Sequence, residues 1–318
     1  MTHKKILSNL FLIRKTEELI SQEYYKNIFR CPVHLSVGQE AISAMIGFVF
    51  NSNDLAVSSH RAHAHYIGKG GNITKMFAEI LGLDGCSGGI GGSMHLTDRS
   101  VGFICSSAIV GNSIPIGVGL SLSQKLENKK NITLIFFGDG ATEQGVFYES
   151  INFAALKNLP SLFICEDNKY SVYSPLNVRQ PDSRSILDVV KKMGIKTVEG
   201  NGNDVLEVLN IYKKAKKYIT TKKKPFFIKF NTYRYLEHCG PYKDDNLKYR
   251  SEKEVEFWNK KCPIKNFLKH ILNKKIMNKK QIISLEKKIE KDVLKMYKKS
   301  LKFPKPNMKK LEKLIYEK

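Results

Sequence analysis

The sequence predicts an α/β fold built on a mostly parallel sheet flanked by helices. Three observations predict it. The short apolar runs Ile132–Phe137, Ser161–Glu166 and Pro225–Asn231 have the length and aromatic or β-branched content of buried strands. They alternate with stretches of helical pattern, as parallel sheets with crossover helices require. Two of them run straight into polar groups, Gly138-Asp139-Gly140 and Asp167-Asn168, at the carboxyl ends of strands, where such sheets carry ligands.

The elements follow in order. Ile6, Leu10, Ile13 and Ile20 outline one face of an N-terminal helix. Lys4-Lys5 before Ile6–Ile13 faintly resembles a signal peptide, but the apolar stretch is short and no small-residue cleavage site follows. The glycine-rich stretch Gly82–Gly92 predicts loops, and Ile114–Leu126 a helix of small and apolar residues leading to the strand at 132–137. Helices over 143–158, 185–193 and 204–219 continue the alternation. After Trp258 the chain turns lysine-rich, with Ile282, Leu285, Ile289, Val293 and Met296 on one stripe before Pro304 and Pro306 end the helix. The expected division is a main domain over 1–260 and a helical C-terminal arm over 261–318 whose stripe needs a surface, for instance on a partner.

Composition bounds the function. With 318 residues, 42% hydrophobic and 26% charged, the chain can bury one sizeable core. A formal charge of +23 raises a nucleic-acid reading. However, the lysines are spread over Lys213–Lys224, Lys260–Lys280 and Lys287–Lys310 without a nucleic-acid-binding motif, so a solvated face is expected and no nucleic-acid partner. The six cysteines (Cys31, Cys86, Cys105, Cys165, Cys239, Cys262) show no Cys-x-x-Cys spacing and read as reduced thiols of a cytoplasmic protein. No segment is long and apolar enough to span a membrane, so no membrane partner is expected.

The two strand ends carry the chemistry. A Gly-Asp-Gly triplet alone is a turn. A dinucleotide fingerprint would share Gly138 and Gly140, but Glu143 stands where its third glycine belongs, and a carboxylate at a helix entry repels a pyrophosphate. Asp139 has the same defect unless a cation intervenes. One carboxylate and one amide, Asp139 and Asn168, suit Mg²⁺ between a diphosphate and hard protein oxygens. A cradle for a metal and a diphosphate is the stronger reading.

Gly138–Phe147 together with Ile164–Tyr170 resembles the thiamine diphosphate motif of the alpha subunit of 2-oxo acid dehydrogenases, of the pyruvate and acetoin dehydrogenase type. The likeness extends to His34–Ala41, Ser59–His63, Gly88–His95, Ile109–Gly111, Thr232–Tyr235 and Phe303-Pro304, and so covers essentially the whole chain. It implies the thiamine diphosphate-binding fold, with thiamine diphosphate and Mg²⁺ as cofactors. Asp139, Asn168 and the main-chain carbonyl of Tyr170 would hold the metal. Gly140 and Ala141 would offer main-chain N–H groups to phosphate, and Arg61 with His60 beside it would clamp the outer phosphate. Ala108 and Val110 would hold the aminopyrimidine. His238 and His63 would handle protons, and His34 would bind substrate.

The implied activity is oxidative decarboxylation of a 2-oxo acid with acyl transfer to a lipoyl carrier, or the related cleavage of acetoin. An alternative is a transferase or carboligase built like a split transketolase. The family keeps its pyrimidine-activating glutamate on a separate beta subunit, so the resemblance implies a beta partner, an α2β2 assembly and a lipoyl acyltransferase. Two departures stand out. Leu236-Glu237-His238-Cys239 replaces the usual histidine-glycine-histidine-serine, and Glu237 is expected to add negative charge near the entrance, favouring an unusual or cationic substrate. Ser107 and Ala108 replace the usual Asn and Gly.

Overall fold

The computed structural model describes residues 2–307 together with 309 and 312; the last part of the expected arm, towards 318, lies outside the described residues. The chain opens with α1 (Thr2–Tyr24), α2 (Glu40–Ala44) and α3 (Ile46–Val49), followed by β1 (Leu55–Ser58), α4 (His63–Gly68), α5 (Ile73–Ile80) and β2 (Phe103–Ser106). The alternating part comprises α6 (Ser113–Leu126), β3 (Thr133–Gly138), α7 (Gly145–Leu156), β4 (Ser161–Asp167), the short pair β5 (Tyr170–Ser171) and β6 (Ser174–Pro175), α8 (Leu176–Arg179) and α9 (Ile186–Lys192). It ends with β7 (Lys196–Asn201), α10 (Val205–Lys222), β8 (Phe226–Asn231), α11 (Glu252–Lys260), α12 (Pro263–Asn273) and α13 (Lys279–Ser300).

Six strands form one parallel sheet in the order β2-β1-β3-β4-β8-β7. The strand alternation of period two divides the core between two faces. Leu134, Phe136, Leu162, Ile164, Phe226, Ile228 and Phe230 face a layer that includes α1, α5, α10, α12 and α13. Ile135, Phe137, Phe163, Cys165 and Phe227 face α6, α7 and α9. With helices on both faces, every residue of β4 is buried, which is why its sequence is a nearly continuous apolar run. Helix α6 comes so close to the sheet that a Cβ on Gly117 would lie 2.5 Å from Ile135 Cγ1.

The apolar stripe of α13 is covered within the chain. Ile282, Ile289, Val293 and Tyr297 are buried in the same core as α1 and α5, and Tyr297 donates to Glu23 at 2.9 Å. The expected need for a partner under this stripe is thereby corrected: α1 and α5 supply the surface. Beyond α13, Pro304 accepts a main-chain bond from Asp84, which holds the chain's end against the glycine-rich loop. That loop is irregular, as expected, and is organised by the buried Glu79 carboxylate, which accepts N–H bonds from Ser87, Gly89 and Gly91. The lysines of α10 at 213, 214 and 217 are exposed on its outer face. All six cysteines are free thiols. Among the described residues no helix is long and apolar enough to cross a membrane.

Candidate active site

From β1 the sheet order proceeds to β2 on one side and to β3 on the other, which creates a switch point beyond the strands' carboxyl ends. Five chain segments leave the sheet or its loops there and line one cavity: His34 and Gln39, Ser59–Arg61 after β1, Ala108 and Val110–Gly111 after β2, Gly138–Ala141 after β3, and Glu166, Asn168 and Tyr170–Val172 from the end of β4 onward. Met94 and His238 complete the wall.

Asp139 opens a tight 3-10 turn, Asp139–Glu143, closed by a bond from Thr142 Oγ1 to the Asp139 carbonyl at 2.7 Å. Burial, followed by the charge of Asp167, raises the Asp139 carboxyl above its usual range, against the pull of Arg179, which donates to Asp139 Oδ2. A Cβ on Gly140 would stand 2.9 Å from Ser171 Oγ and 3.1 Å from Ser171 Cβ, so a larger residue there would displace Ser171. Asn168 is fixed by its neighbours. Its Nδ2 donates to Gln39 Oε1 at 3.3 Å and its Oδ1 accepts from the Tyr170 N–H at 3.2 Å. Gln39 is itself placed by Gly38, whose φ of +100° and 2.6 Å approach of a would-be Cβ to the Tyr233 carbonyl admit only glycine. The arrangement offers hard oxygens from two neighbouring strand ends, the donor set a magnesium-sized cation favours.

Arg61 is buried at 5% exposure, yet it donates only to two main-chain carbonyls, Leu35 at 2.6 Å and His238 at 3.2 Å. Among the described residues no carboxylate forms an ion pair with it. Desolvation lowers its pKa to about 10. A buried guanidinium without a counter-ion is costly unless an anion completes the site. Beside it the rings of His34, His60 and His238 form a triangle with centroid separations of 4.6, 5.1 and 5.2 Å. Burial first, and then the charge of Arg61, pushes His34 to about 2, His60 to about 4 and His238 to about 3, so all three are neutral near pH 7. His34 Nδ1 is buried without a hydrogen-bond partner, a second sign that a ligand belongs here.

The cavity thus brings together His34, His60, Arg61, Ala108, Val110, Asp139, Gly140, Ala141, Asn168, Tyr170 and His238. His63 stands apart. It is fully buried behind the wall, with Nδ1 3.2 Å from Glu17 and Nε2 2.8 Å from Ser93 Oγ, so both ring nitrogens are engaged in packing. The Glu237 carboxylate turns back to accept the Tyr242 N–H at 2.9 Å and does not line the cavity. The argument for a cationic substrate loses its basis. Residues that sequence reasoning missed are Gln39, Met94, Ser171, Val172 and Glu166. Glu166 holds His65 at 3.1 Å; its place just before Asp167-Asn168 was the available signal.

Residues 8–309 match the family model described as dehydrogenase E1 component. The pyruvate dehydrogenase E1 component subunit alpha of Rickettsia bellii (strain RML369-C) is 35% identical over 98% of this chain and 95% of its own. Its counterpart in Rickettsia felis is 35% identical over 94% and 90%, and the mitochondrial protein of Pisum sativum 32% over 96% and 76%. None of these names supports the carboligase alternative. With the family model and these relatives matching nearly the whole sequence, the chain belongs to the dehydrogenase E1 component family, as an alpha subunit.

Proposed function

We propose that this alpha subunit serves a thiamine diphosphate-dependent 2-oxo acid dehydrogenase acting on pyruvate, the acid in the names of its relatives, with transfer of the acyl group to a lipoyl carrier. Arg61, a buried cation at the cavity with no ion-paired carboxylate among the described residues, is the observation that carries this reading, because a diphosphate is the anion its fork would complete. When bound, the cofactor supplies the electron sink that decarboxylation needs.

The chain's own residues divide the remaining work. Arg61 binds the outer phosphate with His60 alongside, and the main-chain N–H groups of Gly140 and Ala141 approach the phosphates. Asp139 and Asn168 through their side chains, and Tyr170 through its carbonyl, would hold Mg²⁺. Ala108 and Val110 present main chain to the aminopyrimidine. His34 orients the substrate carboxylate, and the neutral ring of His238 holds or moves a proton. The engaged nitrogens of His63 favour a supporting rather than a proton-handling part for it.

A beta subunit and a lipoyl acyltransferase are the partners of this family role, and α2β2 is the assembly we propose. Within the chain, residues 1–260 would carry the cofactor chemistry as the main domain, with 261–318 as a C-terminal arm whose described part, through α13, braces it. The cytoplasm, where six free thiols persist, is the proposed compartment. The test is product analysis of the purified alpha–beta pair with pyruvate, longer 2-oxo acids and acetoin, with and without a lipoylated carrier. Acyl transfer to the carrier from pyruvate is expected. Carbon–carbon condensation products with no acyl transfer would replace the dehydrogenase reading.

A further inference from the structure

We infer that Arg179 is a positioning residue for Asp139, clipping the segment that carries Tyr170 onto the strand end that carries Asp139. The inference rests on the proposed metal reading of Asp139, Asn168 and Tyr170.

Arg179 closes α8, just after the β5–β6 pair in which Tyr170 faces Pro175. Its side chain is 10% exposed although most of the segment around it is open. All three guanidinium nitrogens are used: Nη2 donates to Asp139 Oδ2, Nη1 to Glu143 Oε1, and Nε to the Ser174 carbonyl at 3.1 Å. The fork therefore grips both ends of the Asp139–Glu143 turn while fastening its own segment. Gln180 and Arg184 add bonds to the same turn, at Glu143 Oε1 (2.7 Å) and the Thr142 carbonyl (2.6 Å), but Arg179 alone of the three reaches Asp139.

Asp139 lines the cavity and Arg179 is not among its lining residues; the guanidinium takes Oδ2 and leaves Oδ1 out of the ion pair. Outer partners that orient a ligating carboxylate and raise the order of the site are worth roughly 10–100-fold in metal affinity. Here the same contact also fixes the separation of two ligands contributed by different strands.

The test uses the co-purified alpha–beta pair and calorimetry of thiamine diphosphate at graded MgCl₂. Arg179→Met is expected to raise the magnesium concentration for half-maximal cofactor binding by roughly 10–100-fold, with the circular dichroism of the cofactor-free pair unchanged. Arg179→Lys, which keeps one charged contact, should fall between, and methylguanidinium should restore part of the binding in Arg179→Ala. Asp139→Asn separates the two claims. If it binds as the wild type does, the metal reading itself is wrong. If Asp139→Asn loses magnesium dependence while Arg179→Met keeps the wild-type requirement, or binds at lower magnesium, the inference is overturned and the reading stands. Should Arg179→Met fail to fold, an unchanged magnesium requirement in Arg179→Lys overturns it equally.

Discussion

Arg61 donates from Nη2 to the main-chain carbonyl of His238 at 3.2 Å, tying the proposed phosphate clamp to the residue whose ring faces the cavity. Because the bond goes to main chain, it survives removal of the imidazole. His238→Ala should therefore lower turnover, on the order of 10²-fold for a lost proton-transfer group, while cofactor affinity changes far less. Steady-state kinetics and parallel cofactor titrations on the alpha–beta pair separate the two. Weakened binding with turnover preserved would reassign His238 to phosphate anchoring.

What the sequence made legible was the part encoded in contiguous runs. The apolar strands β3, β4 and β8 and the polar residues at the ends of β3 and β4 were read correctly because buried parallel strands leave no alternation to confuse. Four-residue β1 and β2 are too short to stand out, and edge strand β7, Lys196–Asn201, is polar and largely uncovered. The helix expected from 143 starts at Gly145, because the Asp139–Glu143 turn takes the first residues and Gln144 is extended. The partners of His63 and Glu237 were not legible for a different reason: Glu17 and Ser93 for one and the Tyr242 N–H for the other depend on tertiary placement that no local motif reports. Arg179 belongs to the same class.

Asp139→Ala and Asn168→Ala are each expected to abolish magnesium-dependent cofactor binding with the fold intact. Each removes one hard oxygen from a geometry that tolerates little distortion. Neither side chain supports the core: Asp139 bonds to Arg179 through its carboxylate, and Asn168 to Gln39 and the Tyr170 N–H. Calorimetry with thiamine diphosphate checks affinity and circular dichroism checks the fold. Wild-type affinity in both variants would remove the metal from this place.

The three neutral histidines make a pH prediction whose sign is fixed. His34, His60 and His238 sit well below their ordinary value of 6.5 in the folded chain. Below pH 6.5 the unfolded chain binds protons that the folded chain refuses, so stability falls as pH drops from 6.5 towards about 4, by up to roughly 1.4 kcal/mol per pH unit for each histidine. Above 6.5 these groups contribute no slope. Melting temperatures of the cofactor-free pair between pH 7.5 and 4.5 should show the fall, and His34→Gln should make it shallower. A variant with the wild-type slope would mean that His34 protonates in place at little cost.

The isolated chain should bind thiamine diphosphate poorly and be inactive until a beta subunit is supplied. The proposed metal cradle and phosphate clamp are both on this chain, whereas the resemblance implies that the pyrimidine-activating glutamate belongs to the beta subunit. The cavity rim has the character of an incomplete surface: Ile109 is 68% exposed and Val110, Val172 and Tyr173 stand open around it. The stripe of α13, by contrast, is already buried on α1 and α5. Association should accordingly slow hydrogen exchange around Ile109–Gly111 and Tyr170–Tyr173 and leave the core-facing residues of α13 unchanged. Co-expression, sizing and an exchange comparison measure this directly. An alpha chain that alone turns over a 2-oxo acid as fast as the pair would rule out the composite site, and protection confined to α13 would move the interface away from the cavity rim.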